Sequence, residues 1–292
     1  MNTVKERAYA KINLYLDVIR RREDGFHDVE TLMHTLDLCD EVTVTVNPSR
    51  LRSVRLVIEG NRFLPTDSKN LAVRAANLFM DALGVTASVD IRLLKRIPVS
   101  AGLAGGSSDA AAVLRALNRI YKKPFTRSML AKISESLGSD VPYCVIGGTA
   151  FCKGRGERMT PVSIGAPLYA VIVSSGERVS TPEAYGALDQ KYSNFDGSVE
   201  KNAVSYDAFE DVLKKGELTP SVLYNTFEEV ILPKCPMASN AKTKLFALGA
   251  YAAMMSGSGP SVFGLFKTEN MAKSALESLT ASGFKAFYAK SV

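Results

Sequence analysis

The first hundred residues alternate apolar and polar side chains with the period of a β-strand. From residue 8 to residue 18 every even position is apolar, whereas Lys11, Asn13 and Asp17 occupy odd positions. This alternation is typical of a strand with one buried face, and it puts Lys11 and Asn13 on the same face. The same alternation over residues 42–46, 54–58 and 89–93 predicts three further strands.

Three segments have apolar residues at helical spacing, and the first lies between the predicted strands at 54–58 and 89–93. Residues 69–84 form the first, with Gly84 as its stop. A second helix is predicted to open near Ser107, and a third runs from the N-cap Thr126 to Gly138. Because strands and helices are mixed and do not alternate strictly, the pattern favours an α+β fold over a doubly wound sheet.

The second half of the chain begins with the predicted connector 161–167, and we place a domain boundary between residues 163 and 164. A buried strand follows it, and then a short helix with Thr181 as its cap. The polar stretch 189–202 is predicted to be a mobile surface loop. Residues 251–289 predict, in order, a strand, a Ser-Gly turn, a strand, a helix and a strand, which is a ferredoxin-like arrangement.

Composition narrows the protein class without deciding the function. The 292 residues are 46% apolar, enough for a substantial core, and 36 basic residues face 30 acidic ones. This mild surplus suits an anionic small molecule, a nucleic acid or an ordinary solvated surface. The four cysteines have no C-x-x-C spacing, so we expect no zinc site. Charges interrupt the N-terminal segment, so we expect a cytoplasmic protein with no signal peptide, no membrane span and reduced cysteines.

The run SAGLAGGSS, residues 100–108, leads directly into the second helix. Successive glycines at a helix start can present several N–H groups to an anion such as a phosphate. No lysine follows the glycines, so the run is not a Walker A loop, and Ala104 and Ser107 depart from the dinucleotide fingerprint. We expect a serine to cap the helix. We also expect Lys95 and Arg96 to supply a mobile positive charge, with a solvated surface role as the alternative for Lys95. Close packing of small residues is the alternative explanation.

Two further motifs carry candidate chemistry. SGSGP, residues 256–260, is a second small-residue turn between two apolar strands. Asp140 follows a helix stop within LGSDVPYC, and its simplest role is the N-cap of a following turn. A general base is its alternative role.

Taken together, these motifs resemble those of the GHMP kinases. The resemblance rests on AYAKINLYLDV, DGFHDVETLMHTLDLCDEV, IPVSAGLAGGSSDAAAVLRALN, LGSDVPYC and MSGSGPSVFGLF, in that order along nearly the whole chain. It implies an ATP-binding N-terminal domain over residues 1–163, similar to the second domain of ribosomal protein S5. A ferredoxin-like C-terminal domain over residues 164–292 would contribute to the acceptor site. The closest likeness is to members that phosphorylate 4-diphosphocytidyl-2-C-methyl-D-erythritol on its 2-hydroxyl in the non-mevalonate route to isoprenoid precursors.

The resemblance also assigns roles to residues. It makes Asp140 the base and Lys11 the catalytic lysine, and it implies Mg²⁺, for which Ser108 is a candidate ligand and no carboxylate is assigned. It places ATP contacts at Asn70, Leu71, Lys95, Pro98, Ser100, Ala101, Gly102, Leu103, Ala104, Gly105, Gly106, Ser107 and Ser108. It places acceptor contacts at Asn13, Phe26, His27, Thr181 and Tyr185, with cytosine stacked between Phe26 and Tyr185 and hydrogen-bonded through His27.

The sequence departs from the family pattern at two of these positions, and two other functions are alternatives to the one that the resemblance implies. Position 26 is Phe where Tyr is usual, and Ala104 replaces a common glycine and puts a methyl group near the triphosphate. A GHMP kinase acting on mevalonate, phosphomevalonate or homoserine is one alternative, and a nucleic-acid-binding module is another. We expect small-molecule substrates, no nucleic acid or membrane partner, and a monomer or homodimer.

Overall fold

The computed structural model describes residues 2–192, 218 and 220–292, and the chain divides into two compact units. Unit 1 contains residues 2–10, 39–99 and 104–147. Unit 2 contains residues 11–38, 100–103 and the described residues after 147. Strands β1 (Thr3–Arg21) and β2 (His27–Pro48) each contribute residues to both units.

The other elements follow in chain order. The strands are β3 (Ser53–Glu59), β4 (Ala87–Leu94), β5 (Thr149–Lys153), β6 (Arg158–Val162), β7 (Tyr169–Ser174), β8 (Tyr224–Asn225), β9 (Ala252–Met255), β10 (Val262–Phe266) and β11 (Lys285–Lys290). The helices are α1 (Leu71–Leu83), α2 (Gly105–Ile120), α3 (Arg127–Ser134), α4 (Val141–Ile146), α5 (Thr181–Lys191), α6 (Glu228–Ile231), α7 (Pro236–Ala247) and α8 (Glu269–Ala281). Short 3₁₀ turns cover Pro220–Val222 and Leu232–Lys234.

Unit 1 contains a sheet in the order β3-β4-β2-β1 together with α1 to α4. β3 pairs with β4 in parallel, and β2 pairs with β4 antiparallel with Val44 opposite Ile91. The alternating apolar residues of β2 and β4 are buried, so the predicted strands are confirmed. The predicted stop of α1 is confirmed, because Gly84 has the left-handed φ of 68°. The helix begins at Leu71, two residues after the predicted start, and its N-cap Asn70 accepts a hydrogen bond from the Ala72 N–H.

Unit 2 contains the other ends of β1 and β2, paired with β8 and β5, and a second, antiparallel sheet in the order β11-β7-β10-β9. Helices α5, α7 and α8 share a buried cluster with this second sheet, and Leu188, Leu245 and Leu279 are all fully buried in it. The strand-turn-strand-helix-strand order predicted for the C-terminal part is confirmed.

Several element boundaries differ from the prediction. β2 begins at His27, fifteen residues before the predicted strand at 42, because Leu32 and Met33 are both buried and the alternation is lost there. α3 ends at Ser134 and not at Gly138. The cap of α5 is Ser180, one residue before Thr181, because Ser180 and Glu183 form a reciprocal capping box.

Two predicted loops are also partly regular structure. β6 extends to Val162, so it includes the first two residues of the predicted connector. The polar stretch 189–202 starts inside α5, and residues 193–202 lie outside the described part of the chain. Within the described ranges, no helix is both long and apolar enough to cross a membrane. The boundary between residues 163 and 164 stays a prediction.

Candidate active site

The Gly-Ser run leads into α2 through residues with left-handed backbone conformations. Ser100, Gly102 and Ala104 have φ values of 54°, 71° and 55°. Ala104 is the N-cap of α2 and forms no side-chain capping bond, so the predicted serine cap is wrong. The nearest fully buried serine, Ser108, donates its hydroxyl hydrogen to the Tyr9 carbonyl oxygen instead. A helix start that no side chain caps presents N–H groups suited to a phosphate.

The SGSGP turn packs directly against the Gly-Ser run within unit 2. A Cβ atom built on Gly102 would lie 1.9 Å from the Ser256 carbonyl oxygen, a separation that no side chain can occupy. The Ser256 hydroxyl donates to the Gly102 carbonyl oxygen at 3.0 Å. Glycine at position 102 is therefore required both by the left-handed backbone and by this contact.

Lys11 and Asn13 lie beside the same run and share one face of β1, as predicted. The Lys11 ammonium donates to Asn13 Oδ1 at 2.6 Å, and Asn13 Nδ2 donates to Thr31 Oγ1 at 2.8 Å. The Lys11 backbone N–H donates to the Leu103 carbonyl oxygen at 3.2 Å. A Cβ atom on Gly257 would lie 3.3 Å from Lys11 Nζ, so the bare glycine makes room for a buried ammonium group.

Asp140 stands at the N-cap position of α4 in unit 1, as predicted, but its carboxylate forms no capping bond. Its φ of −84° and ψ of −14° are helical, whereas an N-cap residue that bonds the helix start is normally extended. Ser108 Oγ lies 4.0 Å from Cys144 Sγ, so the starts of α2 and α4 are neighbours. Asp140 as base and its pairing with Lys11 stay predictions.

Lys95 is a fixed charge and not the mobile one that the sequence predicted. Its side chain is 4% exposed and forms ion pairs with Asp40 and with Asp109, the latter at 2.7 Å. Burial lowers the pKa of Lys95, but the two carboxylates outweigh burial and raise the pKa above its usual value. Burial also raises the pKa of Asp109, to about 8, although the Lys95 ammonium acts in the opposite direction.

The other predicted ATP contacts fall around the start of α2. Within unit 1, a Cβ atom on Gly106 would lie 3.7 Å from Leu71 Cδ1, so the start of α1 adjoins that of α2. Asn70 also donates through Nδ2 to the Pro65 carbonyl oxygen at 2.8 Å. Residues Pro98, Ala101 and Leu103 are buried, whereas Gly106 is exposed and Ser107 half-buried.

Three of the predicted acceptor residues, Phe26, His27 and Tyr185, are aromatic and lie in unit 2. The ring of Phe26 is 49% exposed, and the Arg155 guanidinium lies 3.7 Å from its centroid. His27 stacks on Tyr185 with ring centroids 4.6 Å apart, and its Nε2 lies 2.8 Å from Asp189 Oδ1. Exposure of a phenylalanine ring beside a cation is unusual for core packing and suits a stacking surface.

Thr181, the remaining acceptor residue, lies at the start of α5. Its hydroxyl is 3.2 Å from the Ser258 hydroxyl, so the SGSGP turn contacts this helix start within unit 2. The turn therefore touches both the Gly102 run and the predicted acceptor residues.

Four residues of these groups were missed in the sequence. Tyr185 and Asp189 are four residues apart on α5, so a longer predicted helix would have put them on one face. Arg155 lies between Gly154 and Gly156, which both have left-handed φ values, and the G-R-G spacing was an available turn signal. Asp40 and Asp109 carried no local signal, because only the fold shows that they are buried.

Comparison with known proteins identifies the family of this chain. Models of the GHMP kinase N-terminal and C-terminal domains match residues 70–148 and 207–285. A 4-diphosphocytidyl-2-C-methyl-D-erythritol kinase from Geobacillus sp. (strain WCH70) is 40% identical over 267 residues, which cover 90% of this chain and 88% of the relative. The chain belongs to the GHMP kinase family.

One solved structure shows the same family relationship for this GHMP kinase, and a second shows a shared fold. A crystal structure of 4-(cytidine 5'-diphospho)-2C-methyl-D-erythritol kinase is 34% identical, with a TM-score of 0.79 and 98% coverage of both chains. A mevalonate kinase from L. major is 18% identical, with a TM-score of 0.75 over 99% of this chain and 97% of that one. The second likeness shows a shared fold alone. The α+β, two-domain GHMP kinase fold that the sequence predicted is thus confirmed.

Proposed function

We propose that this GHMP kinase transfers the γ-phosphoryl group of ATP to the 2-hydroxyl of 4-diphosphocytidyl-2-C-methyl-D-erythritol. The observation that carries the proposal is the 40% identity to a relative of that name across 90% of the chain. At the two positions that depart from the family pattern, Phe26 still presents an exposed aromatic ring and Ala104 still precedes the start of α2.

The Gly-Ser run would bind the ATP phosphates. Backbone N–H groups at the start of α2 supply the donors, and the helix dipole adds about half a positive charge. Lys95 supports the proposal as a buried positive charge, because a Cβ atom on Gly105 would lie 3.4 Å from its ammonium. Asn70 and Leu71 would adjoin the adenine.

Asp140 would accept the proton of the attacking hydroxyl, and Lys11 would balance charge on the transferring phosphoryl group. A carboxylate is a weak base for an alcohol, so proton transfer should come late. Positioning and charge stabilisation then supply most of the rate. The support for Lys11 is its burial beside the Leu103 carbonyl and the SGSGP turn.

Mg²⁺ would accompany the nucleotide. The described residues contain no group of three His, Cys, Asp or Glu side chains able to hold a metal ion. In nucleotide sites, phosphates and water provide most of the ligands of Mg²⁺. Ser108 fits as one ligand, because its hydroxyl hydrogen is donated to Tyr9 while its oxygen lone pairs remain.

The acceptor would lie along unit 2. Phe26, His27 and Tyr185 would bind its cytosine, and Asn13 and Thr181 would contact the methylerythritol end. The exposed ring of Phe26 supports stacking. Mevalonate, phosphomevalonate and homoserine contain no pyrimidine that such a group could stack. Cytoplasmic location, absence of nucleic-acid binding, and a monomeric or homodimeric state stay predictions.

One assay tests the proposal. ADP production is measured with ATP and Mg²⁺ against a panel of alcohols, each with and without a cytidine diphosphate group. We expect turnover only with 4-diphosphocytidyl-2-C-methyl-D-erythritol. Turnover with mevalonate or homoserine, and none with the cytidyl compound, would replace the acceptor assignment. No turnover, together with salt-sensitive RNA binding, would favour the nucleic-acid module.

A further inference from the structure

A buried ion cluster joins three elements of unit 1 at a single ammonium group. Asp40 belongs to β2, Lys95 follows β4, and Asp109 lies in the second turn of α2. All three side chains are at most 4% exposed. Lys95 Nζ donates to one oxygen of each carboxylate. The cluster therefore connects α2, the helix that follows the Gly-Ser run (residues 100–108), to the sheet.

Asp40 also fixes the backbone next to Lys95. Its second oxygen, Oδ1, accepts the Arg96 N–H at 2.5 Å and the Ile97 N–H at 2.8 Å. The Lys95 N–H donates to the Glu59 carbonyl oxygen at 2.9 Å. The lysine is therefore held by its main chain and by its ammonium group, which leaves its position little freedom.

The fixed ammonium lies against the first residue of α2. A Cβ atom on Gly105 would approach Lys95 Nζ to 3.4 Å and Ile97 Cγ2 to 3.2 Å. Burial of two carboxylates and an ammonium group carries a large desolvation penalty. Apolar side chains of similar volume usually stabilise a core without that penalty. Because the Lys95 ammonium lies beside Gly105 in the Gly-Ser run, the cluster has a functional explanation as well as a structural one.

We propose that Asp40 and Asp109 are positioning residues for the ATP site, which hold the Lys95 ammonium and the first turn of α2 in the orientation that the triphosphate requires. The inference rests on the proposed ATP-binding role of residues 100–108. Neither carboxylate needs to touch the nucleotide, because each acts through Lys95 or through the backbone that follows it.

Asp109 needs an acceptor oxygen for this role more than it needs a negative charge. Its Oδ1 atom is buried and accepts no hydrogen bond within the described part of the chain, whereas Oδ2 accepts from Lys95. Asparagine keeps an acceptor oxygen of the same reach, and leucine removes it at similar volume. The pair Asp109→Asn and Asp109→Leu therefore separates the hydrogen bond from the charge.

The test measures KM for ATP, KM for the cytidyl acceptor and the calorimetric Kd of ADP. Asp109→Leu should raise KM for ATP and Kd for ADP by about tenfold or more, because it removes a charge-assisted hydrogen bond. KM for the acceptor should stay within about twofold, and Asp109→Asn should restore ATP binding to within about threefold of the wild type. Asp90→Asn, on β4 beside Asn47, is the matched surface control and should change neither KM.

A wild-type KM for ATP in Asp109→Leu would overturn the inference, as would an equal rise of both KM values. If the leucine variant does not fold, Asp40→Asn replaces it and should show the same selective loss of nucleotide binding. An unchanged Kd for ADP in Asp40→Asn would also overturn the inference. A wild-type protein that neither binds ADP nor produces it would instead refute the proposed function.

Discussion

At the scale of single residues, Ala104 holds a backbone conformation that glycine adopts more easily. Its φ of 55° and ψ of 28° are left-handed, at an expected cost of roughly 1–2 kcal/mol for a residue with a Cβ. Against this, glycine lowers the free energy of unfolding by about 0.4–1 kcal/mol, because the unfolded chain has more conformational freedom with glycine than with alanine. We therefore predict that Ala104→Gly raises the free energy of unfolding by about 0.5–1 kcal/mol.

The same change removes a methyl group next to the predicted triphosphate site, so KM for ATP should fall. Urea denaturation and steady-state kinetics measure the two effects. Lower stability would show that the surrounding loop favours the alanine, and an unchanged KM for ATP would place the methyl group away from the nucleotide.

Residue-level prediction succeeded where one strand decides the geometry. Alternation along β1 put Lys11 and Asn13 on one face, and the two side chains are hydrogen-bonded. It failed for Lys95, because a lysine at a strand end is usually solvated, and only the tertiary fold brings Asp40 and Asp109 to it. Local sequence carries no signal of that burial.

At the scale of elements, His34 joins β2 to two other parts of unit 2. Its Nδ1 lies 2.8 Å from Thr149 Oγ1 on β5, and its Nε2 lies 2.9 Å from Ser291 Oγ beyond β11. Burial lowers the pKa of His34 to about 4, well below the unfolded value near 6.5. As pH falls from 6.5 to 5, the unfolded chain binds a proton that the folded chain does not.

Protonation of the unfolded chain should therefore lower the free energy of unfolding by roughly 1 kcal/mol per pH unit in that window, or about 1.6 kcal/mol in all. Chemical denaturation of His34→Gln between pH 6.5 and 5 should show this part of the pH dependence removed. His27→Gln, which alters the chain's other histidine, is the matched control and should retain the slope. A slope unchanged in His34→Gln would contradict a buried neutral His34.

Strands and helices were predicted accurately where only one of their faces is buried, and poorly where both faces are buried. β4 and α1 follow the predicted periods closely. The first half of β2 was missed because Leu32 and Met33 point to opposite faces and are both buried, which removes the alternation. Helix starts shifted where capping depends on reciprocal bonds, as at Ser180 and Glu183.

At the scale of the whole molecule, neither compact unit is continuous in sequence. β1 and β2 pass through both units, and residues 100–103 belong to unit 2 while the helix they precede belongs to unit 1. Sequence order alone does not show which segments share a unit. The family and the fold class were predictable, because motifs such as residues 100–108 and 256–260 can be read in order along the chain wherever the units begin and end.

Phosphoryl transfer with Asp140 as the base is the central proposal for this kinase. The most direct test is the turnover of Asp140→Asn with ATP, Mg²⁺ and 4-diphosphocytidyl-2-C-methyl-D-erythritol, measured beside the calorimetric Kd of ADP. Asp81→Asn, an exposed residue of α1 paired with Arg52, is the control and should keep wild-type turnover. We predict that Asp140→Asn lowers kcat by about a hundredfold or more and leaves Kd within about threefold. Near-normal turnover in Asp140→Asn would contradict the account.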